Sequence, residues 1–326
     1  MTTKERLLGL LDENRGRFIS GEEIASSLLI TRAAVWKGIQ ALRSDGYEIE
    51  AVQNKGYMMP EETDVLSASG VLRYLGDIAE RCGLCIDVQK SVTSTNTVLK
   101  KRAQQGESEG YVLIAANQTA GKGRVGRSFY SPEGTGVYLS ILLRPEAYDA
   151  VRASRFTTMA AVAACKAVEE VTDDQALIKW VNDVYLNDRK IAGILTEASI
   201  DLESGTIEYA VLGIGFNVYE PENGFPDEIQ NRAGVVLKTP QKDAKNKLAA
   251  AFIRYFMSCY HDQSVQDYIR EYRERSFVVG HEIEVIEGEK RTPARALSVD
   301  DECRLIVRYA NGKTEALSAG EVSICI

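Results

Sequence analysis

The stretch Asn117-Gln118-Thr119-Ala120-Gly121-Lys122-Gly123-Arg124-Val125-Gly126-Arg127 ends with three glycines and three cations in seven residues. It follows the apolar run Tyr111 to Ala116, so it reads as a loop leaving the end of a strand. Glycine lets backbone approach a bound group, and Lys122, Arg124 and Arg127 supply charge-assisted donors suited to phosphate or carboxylate oxygens. An anion-holding loop is expected; the plainer alternative is a solvated basic loop. The same residues contain G-x-G-x-x-G, which in a doubly wound dinucleotide fold must be followed by a helix. Here Ser128-Phe129-Tyr130-Ser131-Pro132-Glu133-Gly134-Thr135-Gly136 and then Val137 to Leu143 follow, a turn and a strand. That argues against a Rossmann site, and the absence of G-x-x-x-x-G-K-[ST] argues against a P-loop.

The 326 residues, 44% of them hydrophobic, suffice for two or three packed domains. No apolar run approaches the ~18 residues that span a bilayer. Met1-Thr2-Thr3-Lys4-Glu5-Arg6 leads into a helical pattern rather than an export signal, so no membrane partner and a cytoplasmic location are expected. Six scattered cysteines (Cys82, Cys85, Cys165, Cys259, Cys303, Cys325) are then reduced thiols. Cys82-Gly83-Leu84-Cys85 has metal-ligand spacing but no second ligand pair, since His261 and His281 are the only histidines, so no metal ligands are assigned. The same shortage argues against a Ser-His-Asp hydrolase. Residues 1–60 hold eight Lys/Arg and eight Asp/Glu, so the whole net charge of −8 lies in the remainder. A neutral head on an acidic body implies two parts.

In the head, residues 4–15 place Leu7, Leu8, Leu10 and Leu11 at helical spacing. Ser20-Gly21-Glu22-Glu23 reads as an N-cap and acidic first turn, and Thr31 as the cap of a helix from Arg32 to about Ser44. Two short helices with a tight joint predict a helix-turn-helix. Gly46 to Val52 and Gly56 to Met59, joined by Gln53-Asn54-Lys55, predict a wing. The second helix holds Arg32, Lys37 and Arg43 and no acid, so Thr31, Arg32, Lys37, Arg43 and, on the wing, Lys55 are the expected DNA contacts. Val35 and Trp36 are read as core residues. A purely structural helical hairpin is the alternative.

Pro60 to Asp64 reads as a polar link, giving a head over 1–63, a central domain over 65–275 and a tail over 276–326. The centre mixes strands (Tyr111 to Ala116, Val137 to Leu143, Glu208 to Gly213) with long helices (Ser154 to Val171, Ala244 to Tyr260), an α/β layered pattern within an α+β multidomain chain. The tail, with short alternating runs and the turn Ala310-Asn311-Gly312-Lys313, predicts a small β-barrel.

Four central segments carry more polar groups than their apolar surroundings require. Ser94-Thr95-Asn96 opens a helix and either caps it, the simpler reading, or holds an anion. The glycine loop is the second. In the third, Ile178 to Glu197, two strands joined at Asn187-Asp188 bring Asn182-Asp183 and Lys190 into one ribbon, either as a structural ion pair or as a site. Leu212-Gly213-Ile214-Gly215-Phe216-Asn217-Val218 is a strand whose glycines mark close approach of a ligand or another backbone. Together these hold the cations, bare backbone and carboxylate of a phosphoanhydride reaction, without an enzyme nucleophile.

Gly121 to Arg127 with Phe129 and Ser131-Pro132, Lys179-Trp180-Val181-Asn182-Asp183, Arg189-Lys190-Ile191-Ala192-Gly193-Ile194-Leu195 and Gly213-Ile214-Gly215-Phe216-Asn217 resemble the four blocks of biotin protein ligases. The head resembles that of the bifunctional members, which also repress biotin genes. The resemblance runs in order over nearly the whole chain. It implies a class II synthetase-like central domain and an SH3-like tail. It also implies a reaction in which biotin and ATP, with Mg2+, form biotinyl-5′-AMP before biotin passes to a lysine of biotin carboxyl carrier protein. By that resemblance Lys190, Arg124 and Asp183 are catalytic. Ser94, Thr95, Asn96, Gln118, Lys122, Gly123, Arg124, Phe129, Asn182, Lys190, Gly193, Gly213, Gly215 and Asn217 form the ligand set, with Phe129 where the family usually has a tryptophan beside the adenine. Adenylate binding would order the glycine loop, complete a homodimer and permit operator binding. Lys122 stands for the usual arginine and Val181 for the usual proline. A lipoate-type ligase, or a DNA-binding sensor with weak catalysis, are the rivals; the cationic loop and head favour biotin, and the presence of Lys190, Arg124 and Asp183 favours catalysis.

Overall fold

In the computed structural model, residues 2–145, 154–201, 203, 205–262, 265–318 and 320–324 are described; Cys325 lies outside them. The head consists of α1 (Thr3–Glu13), α2 (Gly21–Leu28), α3 (Arg32–Ser44), β1 (Glu50–Val52) and β2 (Gly56–Met58). Its helix starts follow from side-chain chemistry. Thr2 and Glu5 form a reciprocal capping box, and Ser20 and Thr31 accept from the amides of Glu23 and Ala34. β1 and β2 pair antiparallel as the wing, and Leu7, Ile24, Val35, Ile39 and Met59 meet in a core of the head's own.

The body contains α4 (Ala68–Leu75), α5 (Ile78–Arg81), β3 (Cys85–Gln89), α6 (Thr95–Gln104), β4 (Tyr111–Ala115), β5 (Gly136–Leu143), α7 (Ser154–Thr172), β6 (Leu177–Lys179), β7 (Asp183–Leu186), β8 (Arg189–Ile200), β9 (Ile207–Asn217), α8 (Asp227–Gln230), α9 (Ala244–Asp262) and α10 (Val265–Arg275). Its strands form one sheet in the order β3-β4-β5-β9-β8-β7-β6. Among these described strands only β3 and β4 pair in parallel. The apolar helices α7 and α9 contribute Phe156, Ala160, Phe252 and Phe256 to the core beneath it.

The tail is an antiparallel sheet of β10 (Glu282–Glu287), β11 (Lys290–Val299), β12 (Leu305–Tyr309), β13 (Thr314–Leu317) and β14 (Glu321–Ile324), in the order β13-β12-β11-β10-β14. It does not stand apart. Ile283, Val285 and Val307 belong to the same apolar cluster as the body, and the Trp180 indole donates to the Cys303 carbonyl at 3.0 Å. The Tyr272 hydroxyl donates to the carbonyl of Val181 at 3.1 Å. The segment Lys179 to Asp183 is therefore held from below by tail and α10 together. Among the described cysteines, Cys82, Cys85, Cys165, Cys259 and Cys303 are free thiols.

Head and body meet through buried charge. Arg15 donates to Asp12 at 2.5 Å, to the Thr63 carbonyl at 2.9 Å and to Asp243 at 2.7 Å, and Arg73 also pairs with Asp12. The side chains of Arg15 and Asp243 are 6% and 3% exposed, so removing the guanidinium leaves the buried carboxylates of Asp12 and Asp243 with Arg73 alone to offset their charge. We expect Arg15→Met to destabilise the protein by about 3 kcal/mol in urea unfolding. A loss below about 0.5 kcal/mol, the range of ordinary surface substitutions, would contradict this role.

Candidate functional site

β7 and β8 turn at Asn187 and Asp188, whose φ of 48° and 61° are those of the hairpin turn expected there. Beyond the turn the pairing is irregular. Tyr185 faces Lys190 but Val184 faces Ala192, so Ile191 is an extra residue in β8. Alternation along a strand would otherwise put Lys190 and Gly193 on opposite faces. The bulge instead brings Lys190 round to the face carrying Asp183 and Gly193. Lys190 Nζ lies 2.6 Å from Asp183 Oδ1, both side chains being about a quarter exposed (29% and 23%). That oxygen makes this ion pair but no aligned hydrogen bond. The Lys190 backbone is clamped as well: its N–H donates to the Arg232 carbonyl at 2.7 Å, and its carbonyl accepts from Gly234 at 2.9 Å. Asn217 secures the clamp by donating to the Gly234 carbonyl at 3.1 Å.

Next to this pair the sheet is bare. Gly193 and Gly215 face one another across β8 and β9, as do Leu195 and Gly213. A side chain on Gly215 would overlap the Phe129 ring, and one on Gly213 would overlap the Asn96 amide. These glycines make room for the Phe129 ring and the Asn96 amide over the sheet. Asn96 is consumed by the fold, donating to the Leu195 carbonyl at 3.1 Å and to Glu197 at 2.9 Å. Ser140 Oγ lies 2.6 Å from Asn96 Oδ1 and 2.7 Å from Thr95 Oγ1. Having one proton, Ser140 donates it to the amide oxygen, which has none.

Ser94 is the N-cap residue of α6 by backbone, but its hydroxyl makes no cap bond, contrary to the simpler reading of the sequence. The Gln118 carbonyl oxygen accepts instead from the Thr95 amide at 2.8 Å, and the Gln118 amide donates to Ser131 at 3.0 Å. With Lys122, Phe129, Gly193, Gly213 and Gly215, these residues line a crevice of about 20 Å³.

The glycine loop is a short hairpin. Gly123 N–H donates to the Arg127 carbonyl at 2.7 Å, and Phe129 N–H to the Gly121 carbonyl at 2.9 Å. Gly121 cannot carry a side chain without striking the Phe129 carbonyl, whereas at Gly123 the nearest atom to an added Cβ is 3.4 Å away. Arg124 donates to Asn182 at 3.0 Å and Arg127 to Glu321 of the tail at 2.7 Å, closing the loop over a groove of about 1040 Å³. Every proposed ligand residue lines the groove or the crevice, which share Gln118, Lys122, Phe129, Gly193 and Leu195. The sequence reading missed Lys179, Arg232, Arg291 and Glu321, which the sheet and tail carry into the groove. It also missed Lys100 and Glu197. Burial tends to raise the Glu197 carboxyl, but hydrogen bonds from Lys100 and Asn96 outweigh it and hold the group below its usual range.

In the head, Arg32 and Lys37 are exposed and in no ion pair among the described residues. Thr31 accepts the Ala34 amide, and Lys55 lies over the Phe18 ring, 5.8 Å from its centroid. Arg43, also exposed, donates twice to the Ile49 carbonyl at the entry to the wing. One reading is corrected: Val35 is buried, as expected, but Trp36 is 56% exposed.

The site sets a lysine and a carboxylate side by side at a groove lined by further cations, an arrangement suited to an enzyme that brings anionic reactants together. The comparisons with known proteins agree. Residues 88–217 match the biotin/lipoate A/B protein ligase family, 3–58 an HTH domain and 279–324 the biotin protein ligase C terminal domain. The chain is 31% identical over 326 residues to the bifunctional ligase/repressor BirA of Bacillus subtilis (strain 168), covering 98% of each protein. It is 29% identical over 327 residues to that of Escherichia coli (strain K12), covering 99% of this chain and 97% of that protein. Among solved structures, a single-residue mutant of biotin protein ligase from Aquifex aeolicus in complex with biotin matches with TM-score 0.60 and 26% identity, over 74% of this chain and 97% of that one. The chain belongs to the biotin protein ligases, in their bifunctional ligase/repressor branch.

Burial lowers the Lys179 ammonium from its usual value; Asp183 opposes this and Lys190 adds to it. Lys179 therefore loses its charge at lower pH than a free lysine, while arginine keeps its charge throughout. We expect tripolyphosphate affinity, followed by calorimetry, to weaken on the alkaline side at lower pH in the wild type than in Lys179→Arg. Coincident pH profiles would remove Lys179 from the anion-binding set.

Proposed function

We propose that the protein joins the biotin carboxylate to the α-phosphate of ATP, releasing pyrophosphate, and then passes the biotinyl group from biotinyl-5′-AMP to the ε-amine of a lysine on biotin carboxyl carrier protein. The observation that carries this reading is Lys190 beside Asp183 at the meeting point of the glycine-floored crevice and the cationic groove. Two anions must approach in the first step. Lys190 lies where it can offset their repulsion and stabilise charge developing on phosphate, with Arg124 and Lys122 adding charge from the loop. Asp183 then faces the incoming ammonium of the acceptor and can orient it or take its proton once Lys190 is engaged elsewhere. Gln118, Thr95 and Ser94 supply the polar wall on the biotin side, and Gly193, Gly213 and Gly215 the floor.

A crevice of about 20 Å³ is far below the roughly 300 Å³ of a ligand pocket, so biotin enters as Phe129 swings off the glycine pair with the loop. Adenylate then orders the loop in its closing position. Magnesium would be held by phosphate oxygens and one carboxylate, Asp183. Bound there, magnesium would neutralise phosphate charge.

The same reading makes the head over 1–63 an operator-binding module, the 65–275 unit a class II synthetase-like domain and the 276–326 tail an SH3-like barrel. The adenylate is both intermediate and corepressor, favouring a homodimer that matches a two-fold operator. No described helix is long and apolar enough to cross a membrane, and a cytoplasmic setting fits free thiols. The test is biotin-dependent exchange of pyrophosphate into ATP. Lys190→Ala is expected to lower it roughly 10²- to 10³-fold with little change in thermal stability. Wild-type protein that shows no biotin-dependent exchange would refute the reading.

A further inference from the structure

The outward face of α3 carries a tryptophan that the described protein leaves more than half exposed. Val35, Gly38, Ile39 and Leu42 turn toward the head's core, and Trp36, about 100° further round the helix, stands 56% exposed. Among the described residues its indole N–H has no hydrogen-bond acceptor and its ring no aromatic or cationic neighbour. The other tryptophan shows the contrast. Trp180 is 3% exposed and donates to the Cys303 carbonyl. Trp36 therefore contributes little to the fold, while exposing one of the most apolar side chains to water.

Its surroundings identify an occupant. Arg32 and Gln40 lie one turn to either side, Ala33 flanks it at i−3, and Lys37 stands beside it. No acid occurs from Ile24 to Ser44. An apolar protein groove laid on this face would leave Arg32 and Lys37 without counter-charge. The DNA major groove supplies both requirements: phosphates along its walls, and in its floor the 5-methyl group of thymine, the one apolar group on a base edge.

We propose that Trp36 is a sequence-reading residue whose indole packs on thymine 5-methyl groups in the major groove while Arg32 and Lys37 hold flanking phosphates. The proposal rests on the operator-binding reading of the head. It corrects the expectation that Trp36 is core and sets it apart from the phosphate-contacting cations.

Full-length protein, with biotin and ATP present, is used to select duplexes from two random libraries that differ only in carrying thymine or uracil, which lacks the methyl group. The wild type is expected to enrich a motif from the thymine library and to bind that motif roughly tenfold more weakly when its thymines are replaced by uracil. Trp36→Ala should lose about the same factor on the thymine duplex and be indifferent to the replacement. Trp36→Phe should retain part of the discrimination. Lys37→Ala should weaken both duplexes alike and flatten the salt dependence.

Unchanged melting and biotin-transfer activity of Trp36→Ala will show that the loss is not one of folding; were that variant unstable, the thymine-to-uracil comparison on the wild type and Trp36→Phe still decides. A wild type that enriches nothing from either library overturns the operator-binding reading and this inference with it. Enrichment with equal affinity for thymine and uracil duplexes leaves DNA binding standing and overturns the role of Trp36. So does a Trp36→Ala variant that binds DNA as the wild type does, or that alters only the monomer–dimer equilibrium.

Discussion

One extra residue in a strand sets up the Lys190–Asp183 pair on which the proposed chemistry rests. Lys190 and Asp183 are not opposite one another in the sheet; Asp183 faces Gly193, and Lys190 faces Tyr185. Only the bulge at Ile191 turns the lysine onto the carboxylate's side. The bulge is held on both flanks, by the left-handed turn at Asn187 and Asp188 and by the chain from Arg232 to Gly234 that clamps the Lys190 backbone. Because the stem is fixed, the ammonium is positioned before any substrate arrives, and preorganised charge is what makes an electrostatic catalyst effective.

The rest of the molecule converges on the cover above that centre. Arg124 ties the loop to Asn182 of the body and Arg127 ties it to Glu321 of the tail. From the other side, Lys245 donates to the carbonyl of Gly134 at 3.2 Å and lies 3.9 Å from Asp64 in the link to the head. Asp64 also accepts from Tyr219 at 2.6 Å. Burial raises the Asp64 carboxyl and lowers the Lys245 ammonium; each charge opposes that effect on the other, and the Tyr219 hydrogen bond also favours the Asp64 carboxylate. A change in the loop thus meets structure leading to all three parts of the chain. This is contiguity between site and head, the physical minimum for a ligand-responsive repressor.

Much of this is legible in the residues because local chemistry decides it. Ser20 and Thr31 announce helix starts by satisfying end amides, Asn187-Asp188 tolerates the left-handed turn, and a glycine loop followed by Val137 to Leu143 cannot be a Rossmann crossover. What sequence hides has another cause. The bulge at Ile191, the crevice wall formed with Ser94, the filling of Gly213 by Asn96 and the core shared with the tail arise from residues far apart in sequence. Trp36 reads as core because apolarity alone says so, whereas helical phase relative to Val35 and Ile39 places it outside.

Phe129 and Lys122, where the family usually has tryptophan and arginine, both line the nearly closed crevice, and this location gives them a joint effect. In the closed arrangement the aromatic ring rests on Gly193 and Gly215, so a ligand must first displace it. A protein that is seldom open binds with an affinity reduced by its open fraction. A phenyl ring loses less apolar contact than an indole on leaving the glycine floor, which favours the open state. It also gives less back when it closes on the adenylate, and Lys122 offers a point charge in place of a bidentate fork. The two departures therefore act in the same direction after closure, toward a weaker hold on the adenylate, while only the smaller ring eases entry. On the proposed placement of the adenylate, the combination favours passing the intermediate on to the acceptor lysine over storing it.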